Sequence, residues 1–367
     1  MSGWVWLAVG FGCVAEDGAS NGPPLPGPGS PPVPPGLTDT GGTSASSGWS
    51  ARYGGAGPQS VVGFEVVAGG HALMGRTIGE VTFGTITLEP EVSGGSELFL
   101  ARFASDGRPV VARSLGESFG WDLDVDDRGW LWVAGQTTEP VQFGAGAVDA
   151  WSVFVAAFDA SLDATITTGW TGVVPLAELR DTHVAAGFDR AVVGGTMSEP
   201  TDFGTGRLDP VGFDAFLVGL SREGGVTWSR AFGGDGIDEV GDVALDASFV
   251  YAVGRYESDF QLGAASFDEA PGDSLFVVQL DGGGSPRWSR GIDAGVDGRS
   301  AVAVAPNGDV LVGATVRRAA DFGGGVLSAG AGTDIVVARY DDTGAHVFSR
   351  RLNFGSEDEL GLGERCR

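Results

Sequence analysis

One seventeen-residue pattern occurs three times in this chain, at intervals of sixty residues. It reads DAFLVGLSREGGVTWSR at 214–230, SLFVVQLDGGGSPRWSR at 274–290 and DIVVARYDDTGAHVFSR at 334–350. Glycines follow the same period, at spacings of 60, 59, 60 and 59; they are Gly75, Gly135, Gly194, Gly254 and Gly313. Internal repeats of this length are typical of solenoids, propellers and arrays of one unit.

Each unit contains four short apolar runs, which in the unit beginning at residue 274 are SLFVVQL, PRWSRGI, SAVAVA and DVLVGATV. Asn307 and Gly308 separate the last two runs and predict a tight hairpin, because both residues accept a positive φ. Glycine or proline recurs every few residues without a sustained 3.6-residue period, which argues against helices. The first run is apolar on both faces and must be covered from both sides, as neighbouring blades of a β-propeller would do.

Five copies of each hairpin predict an all-β fold, a β-propeller of five four-stranded blades. The chain begins with a second hairpin at residues 60–84 and ends with a first hairpin at residues 334–354. We expect these hairpins to pair in one shared blade and close the ring, because pairing hides two sheet edges. A larger ring that has lost C-terminal blades is the alternative. Trp228, Trp288 and Phe348 are expected to fill the wedges between blades, or else to form platforms for sugars.

Three segments carry a resemblance to a known repeat: FGGDGIDEVGDVALD at 232–246, DVLVGAT at 309–315 and DIVVARYDDTG at 334–344. They are similar to the units of the bacterial β-propeller repeat family often labelled SBBP, and the resemblance extends over nearly all of residues 59–360. It implies a secreted or surface-tethered propeller and brings no agreed catalytic residues. The second unit departs from the pattern, because TGWTGVVPLAELRDTHVAAGF lacks the FGG turn.

The N-terminus predicts export. Residues 1–13, MSGWVWLAVGFGC, contain a nine-residue apolar run, too short for the roughly 20 residues that span a bilayer but suited to an export signal. The ending GFGC resembles a bacterial lipoprotein signal, which implies a lipid on Cys13; a cleaved or uncleaved export segment and an apolar tail without a role are the alternatives. Residues 14–58 are rich in Pro and then in Gly, Ser and Thr, as in a tether or a disordered tail. The propeller is predicted over 59–360, with a tail at 361–367.

The charge balance bears on the partners. The chain has 48 acidic residues against 22 basic ones, a net charge of −26, which argues against nucleic acid and anionic lipid as partners. Membrane contact is therefore expected only through the lipid anchor. Cys13 and Cys366 stand at opposite ends and predict no disulfide framework. His71, His183 and His346 have no neighbouring His or Cys in the sequence, so each is expected to be structural and no metal site is predicted from them.

Acidic residues collect in the loops after the second run of each unit. They are Glu117, Asp235, Asp238, Glu239, Asp293, Asp297, Glu357 and Asp358. Equivalent loops ring one face of a propeller, so these carboxylates are candidates for a ligand face or for Ca²⁺, which takes six to eight oxygens. The alternative is that they satisfy backbone amides in turns. The stretch DLDVDDRG at 122–129 resembles a calcium loop, but Leu123 and Val125 fit a strand that runs into a hairpin turn.

The function predicted from these features is a monomeric, non-catalytic module that binds a protein or a glycan, a lectin included. It is expected in the cell envelope as an outer-membrane or surface lipoprotein, or otherwise in the periplasm or outside the cell. The alternative is a glycan-processing enzyme, for which one blade should carry unique paired carboxylates. The divergent second unit, with Glu178, Asp181 and His183, is the candidate place for such a pair. Four recurring arginines predict a salt bridge or turn contact in each blade: Arg113, Arg230, Arg290 and Arg350.

Overall fold

The computed structural model describes residues 51–55, 57–90, 95–171, 173, 182–263, 265–267, 273–328, 330 and 332–352. These residues form an all-β structure without helices, and none of their segments is a helix long and apolar enough to cross a membrane. The strands are, in chain order, β1 (Gln59–Val67), β2 (Gly70–Ile78), β3 (Val81–Phe83), β4 (Ile86–Leu88), β5 (Ser96–Ala104), β6 (Pro109–Ser114), β7 (Ser118–Val125), β8 (Leu131–Thr137), β9 (Val141–Gln142), β10 (Ala147–Val148), β11 (Ser152–Phe158), β12 (Ala164–Thr171), β13 (His183–Gly187), β14 (Arg190–Met197), β15 (Thr201–Asp202), β16 (Arg207–Leu208), β17 (Gly212–Ser221), β18 (Val226–Phe232), β19 (Gly236–Ile237), β20 (Glu239–Leu245), β21 (Phe249–Tyr256), β22 (Phe260–Leu262), β23 (Ala265–Phe267), β24 (Ser274–Asp281), β25 (Pro286–Ile292), β26 (Val296–Val304), β27 (Val310–Val316), β28 (Ala320–Asp321), β29 (Val326–Leu327), β30 (Asp334–Tyr340) and β31 (His346–Leu352).

Five antiparallel sheets of four strands follow one another along the described chain. In order, they are β1–β2–β5–β6, β7–β8–β11–β12, β13–β14–β17–β18, β20–β21–β24–β25 and β26–β27–β30–β31. A two-stranded ribbon connects the second strand of each sheet to the third; the ribbons are β3–β4, β9–β10, β15–β16, β22–β23 and β28–β29. The short strand β19 adds a parallel pairing to β17 in the third sheet. The chain therefore has a propeller-like fold.

The glycine period reflects a contact between the second and third strands of a sheet. In four sheets a glycine lies opposite an aromatic ring; the pairs are Gly75 with Phe99, Gly135 with Phe154, Gly195 with Phe216 and Gly254 with Phe276. A Cβ atom at Gly254 would lie 1.9 Å from the backbone oxygen of Glu239 on the first strand and 2.6 Å from the ring of Phe276, so only glycine fits. In the fifth sheet both the glycine and the aromatic residue are replaced, and Ala314 lies opposite Val336. The structural period thus runs through Gly195 and Ala314 rather than the predicted Gly194 and Gly313.

The predicted hairpins are confirmed, but their grouping into blades is wrong. The unit beginning at residue 274 was expected to form one blade, yet β24 and β25 belong to the fourth sheet and β26 and β27 to the fifth. The burial of the strands gives the reason. The third strand β24 is buried at nearly every position and takes a central place, whereas the fourth strand β25 is half-exposed and lies at an edge. A strand that is apolar on both faces needs a paired neighbour on each side as well as cover on each face.

The predicted closure of the ring is also wrong in its pairing. Residues 60–84 supply β1 and β2, which pair with β5 and β6, while β30 and β31 of residues 334–354 pair with β26 and β27. Each chain end thus completes its own sheet, and no shared blade is needed. The first strands contact one another in series, β1 with β7, β7 with β13, β13 with β20 and β20 with β26. Within the described ranges, no contact of this extent joins β26 back to β1.

The outer face of the first sheet has the composition of an interface between sheets. Phe64 and Val66 in β1 occupy the positions of Leu123 and Val125 in β7, as the matching bulged registers show. Leu123 and Val125 are buried against the first sheet, whereas Phe64 is 37% and Val66 53% exposed. No other sheet of the described residues covers this face. Tyr53, in the predicted linker, packs at its edge against Phe83 and Phe103 of the first sheet and its ribbon.

Hydrophobic clusters fill the spaces between consecutive sheets. Phe143 and Phe203, carried by the ribbons, stack on the third strands of their own sheets and extend these clusters. Trp228 lies in the cluster between the third and fourth sheets and donates its Nε1–H to Gly282 O at 3.0 Å. Trp288 packs against the cluster between the fourth and fifth sheets, and Phe348 is half-buried. The predicted wedge-filling role of Trp228 and Trp288 is confirmed.

The recurring arginines contact turns, as one of the two predictions for them proposed. Three of the four recurring arginines come from the fourth strand of a sheet and donate to a carbonyl in the turn between the third and fourth strands of the next sheet. The pairs are Arg113 with Leu162 O at 2.8 Å, Arg230 with Gly284 O, and Arg290 with Gly344 O at 2.8 Å. Arg113 also pairs with Asp163 at 2.8 Å. Arg350 occupies the same position in the fifth sheet and is exposed.

Candidate functional site

One repeated position on the first strand of each sheet carries a polar side chain in three consecutive sheets. Asp122 in β7, His183 in β13 and Asp242 in β20 each pair with the residue just before the structural glycine of the second strand. In the first and fifth sheets the same position holds Gly63 and Ala301. Since the first strands of consecutive sheets contact one another, the three polar side chains meet in the interior of the molecule.

Backbone amides hold the two carboxylates in place. Asp122 accepts the amide of Leu123 on Oδ1 and the amide of Val184 on Oδ2, both at 2.9 Å. Asp242 accepts the amides of Val243 and Val302 on Oδ1 and Oδ2, both at 2.8 Å. In each case the second amide belongs to the first strand of the following sheet. The carboxylates therefore link neighbouring sheets by hydrogen bonds. A β-bulge just before each aspartate turns its side chain inward.

His183 brings a nitrogen to the same place. Its Nδ1 lies 3.8 Å from Asp122 Oδ2, and one ligand atom from each of Asp122, His183 and Asp242 lies within 4.8 Å of the other two. His183 and Asp242 are each 3% exposed, and Asp122 is half-buried. Two carboxylates in so dry a place repel each other and are costly to bury without a cation. Within the described residues, this is the one cluster of three such side chains close enough to hold a metal ion.

Sequence reasoning missed this cluster because it looked for metal ligands that are neighbours in the sequence. His183 was expected to be structural, and Asp122 was treated as part of a strand before a turn. The second expectation is confirmed, since β7 ends at Val125 and Asp126 accepts the amides of Arg128 and Trp130 in the turn. The signal that identifies the cluster is the repeat itself, because the three residues occupy equivalent positions on the first strands of three consecutive sheets.

The predicted acidic loop residues do lie at one end of successive sheets. Glu117, Asp235, Asp238, Glu239, Asp293 and Asp297 all fall in or beside the connections from a fourth strand to the next first strand. Three of them pair with arginine: Glu239 with Arg255 at 3.1 Å, Asp293 with Arg318, and Asp297 with Arg317. These arginines offset the negative charge that would attract Ca²⁺. Glu117 is half-buried and Asp235 exposed, while Glu357 and Asp358 lie outside the described residues.

Asp238 forms a buried pair with Asp214, which sequence reasoning did not select. The two lie beside Gly233, where a Cβ atom would be 2.6 Å from Asp238 Oδ2 and 2.7 Å from Asp214 Oδ1. These oxygens are therefore at most 2.6 + 2.7 = 5.3 Å apart. Asp238 accepts the amides of Gly234 at 2.8 Å and Glu257 at 3.0 Å. Burial raises the pKa of both carboxyls, that of Asp214 to about 6 with a further contribution from the charge of Asp238.

Of the two carboxyls, Asp214 has the more strongly raised pKa, because it has no cationic partner among the described residues. Asp334 occupies the equivalent position of the fifth sheet, one hundred and twenty residues later, and pairs with Arg351. In the third sheet the place of Arg351 is taken by Ala231. Asp214 keeps a single amide, from Val211 at 3.3 Å, which lowers its pKa by less than burial raises it.

Comparisons with known proteins assign the chain to no family. No family model matches the chain, and no curated protein matches it. Two solved structures are similar in shape. A protein of unknown function from Bacteroides caccae aligns with a TM-score of 0.33 and 10% identity over 69% of this chain and 89% of its own. The Dos1 propeller aligns with a TM-score of 0.40 and 9% identity over 79% of this chain and 83% of its own. The resemblance to the SBBP repeat family stays a prediction.

Proposed function

We propose that this chain is a non-catalytic, monomeric binding module of the cell envelope or surface, which recognises a protein or a glycan. The observation that carries the proposal is how its buried polar groups are used. Asp122 and Asp242 tie first strands together, and Arg290 ties a fourth strand to the next turn. Such contacts make a rigid stack of similar sheets, and rigid scaffolds that hold many connecting loops at one end suit recognition.

The connections from fourth to first strands are the proposed binding surface. They bring exposed carboxylates of successive sheets, Asp235 and Asp293 among them, to the same end of the strands. Carboxylates at this surface can accept hydrogen bonds from sugar hydroxyls or pair with basic side chains of a protein. The turns at the opposite end carry Asp342, an exposed acid that serves as the matched control.

A glycan array, combined with mass spectrometry of the ligands after incubation, tests this proposal. Binding without product, lost in Asp235→Asn with Asp293→Asn and kept in Asp342→Asn, is the expected result for a lectin. If no glycan binds, crosslinking to envelope proteins with the same variants tests the protein partner. Retention of all binding by the double variant would refute the assignment of this surface.

One observation favours the alternative, a glycan-processing enzyme. Asp214 and Asp238 form a carboxylate pair, and a pKa near 6 on Asp214 suits a general acid. Their burial opposes this role, because Asp238 is 0% and Asp214 5% exposed, so a sugar cannot reach them without movement of the surrounding loops. Shortened glycans released by the wild type and absent with Asp214→Asn would establish the enzyme and refute the non-catalytic proposal. Glu178 and Asp181, the predicted alternative pair, lie outside the described residues.

The proposed location depends on Cys13, which also lies outside the described residues. Metabolic labelling with a fatty-acid analogue is expected to mark the full chain and to fail with Cys13→Ala. The variant should then leave the membrane fraction. Equal membrane association of both forms would contradict a lipid anchor at this cysteine.

A further inference from the structure

We infer that Asp122, His183 and Asp242 bind one divalent first-row transition-metal ion, for which Zn²⁺ is the probe. The inference does not depend on the proposed binding function. It starts from the convergence of an imidazole nitrogen and two carboxylates, contributed by three different sheets, with ligand atoms within 4.8 Å of one another.

The donor set selects the class of ion. Imidazole and carboxylate together suit Zn²⁺ and its first-row neighbours, whereas Ca²⁺ and Mg²⁺ prefer oxygen alone. Bonds of about 2.0–2.2 Å place the ligand atoms of a tetrahedral Zn²⁺ site roughly 3.3 Å apart. The separation of 3.8 Å between His183 Nδ1 and Asp122 Oδ2 is close to this value. The other ligand atoms lie within 4.8 Å of one another, so binding of the ion draws the side chains inward.

The two carboxylates are already oriented for such a site. Each oxygen of Asp122 and Asp242 accepts one backbone amide, which fixes the direction in which the carboxylate points. Fixed hydrogen bonds of this kind hold metal ligands in position and reduce the ordering that binding requires. Asp242 and His183 are each 3% exposed, so the charge of Asp242 lies in a dry interior where a cation offsets it.

An ion at this place would crosslink the second, third and fourth sheets. Three protein ligands leave one position of a tetrahedral ion for water or another small ligand. Because the ligands come together only in the folded chain, binding is coupled to folding and raises the unfolding temperature.

The test uses the full chain, stripped with a chelator and dialysed. Calorimetric titration with Zn²⁺ is expected to show one ion per chain and a raised unfolding temperature, with no comparable response to Ca²⁺. His183→Gln and Asp242→Asn should each weaken binding by at least about 100-fold, since even outer-shell partners of metal ligands are worth about 10–100-fold. His346→Gln, which changes a half-buried histidine in β31, is the matched control and should bind as the wild type does.

Anomalous diffraction at the zinc edge, from crystals of the wild type, gives a result that does not depend on the stability of the variants. A single peak between the three side chains would support the inference. A peak elsewhere, binding that persists in His183→Gln, a preference for Ca²⁺, or no binding by the wild type would overturn it.

Discussion

Replacing Asp214 by asparagine is expected to stabilise the folded chain at neutral pH. Asp214 is 5% exposed, and burial together with the charge of Asp238 raises its pKa to about 6. At pH 7 the folded chain therefore carries a charge that its surroundings disfavour. Asp214→Asn removes this charge and with it the repulsion between the carboxylates of residues 214 and 238.

The sign and size of the effect follow from the two protonation states. Between the ordinary pKa of 3.8 and the folded value of about 6, the unfolded chain has lost the proton that the folded chain retains. The unfolded state thus binds fewer protons, and stability falls as the pH rises through this window. At about 1.4 kcal/mol for each pH unit, the cost grows from about 1 kcal/mol at pH 4.5 to about 3 kcal/mol at pH 7.5. Asp214→Asn removes this cost.

Urea unfolding of the wild type and of Asp214→Asn, followed by tryptophan fluorescence at several pH values between 4.5 and 7.5, measures the difference in their free energies of unfolding. The variant's advantage should increase with pH over this range. Asp334→Asn is the matched control, since Arg351 pairs with that carboxylate and its loss should destabilise the chain at pH 7.5. An advantage of Asp214→Asn that stays constant with pH, or no advantage at pH 7.5, would refute the reasoning.

Two further predictions concern the packing of the sheets, and urea unfolding tests both. Gly254→Ala should destabilise the chain by more than about 1–3 kcal/mol, because its Cβ would lie 1.9 Å from the backbone oxygen of Glu239 and 2.6 Å from the ring of Phe276. Gly225→Ala, with only a contact at 3.5 Å, should be nearly neutral, and equal effects of the two substitutions would contradict these contacts as the cause. Arg290→Gln should cost about 1 kcal/mol through its lost bond to the next turn, whereas Arg350→Gln, at the exposed equivalent position, should cost close to nothing; a comparable loss for both would show that the turn contact does not stabilise the sheets.

Local features of the fold could be predicted from the sequence, while the grouping of hairpins could not. Turn residues such as Asn307 and Gly308 define a hairpin within a few positions. The choice between two neighbouring hairpins as partners depends on contacts across a ribbon, such as that of Gly254 with Phe276. The burial pattern held the missing clue: β21 and β24 are apolar on both faces and must be adjacent central strands. Once they are paired, β25 becomes an edge and the predicted blade boundary moves by one hairpin.

The acidic loop residues show why residue type alone does not define a site. Glu239 and Asp293 were selected for their carboxylates, but their partners are arginines 16 and 25 positions later (255 − 239 and 318 − 293). Arg255 lies on the neighbouring strand β21, and Arg318 lies in the connection after β27. No local pattern in the sequence reveals such a pairing. The negative charge that suggested a cation site is therefore offset at three of the predicted residues, Glu239, Asp293 and Asp297.

The cluster of Asp122, His183 and Asp242, in contrast, can be found from the spacing of its residues in the sequence. Asp122, His183 and Asp242 are separated by 183 − 122 = 61 and 242 − 183 = 59 residues, which is the period of the repeat. In a fold whose first strands contact one another in series, residues one period apart are neighbours in space. Comparing side chains at intervals of one period, rather than within short motifs, therefore identifies donors that converge. The position is apolar or glycine in the first and fifth sheets, so a ligand set there is a local departure from the repeat, and such departures are where function is expected in repeat folds.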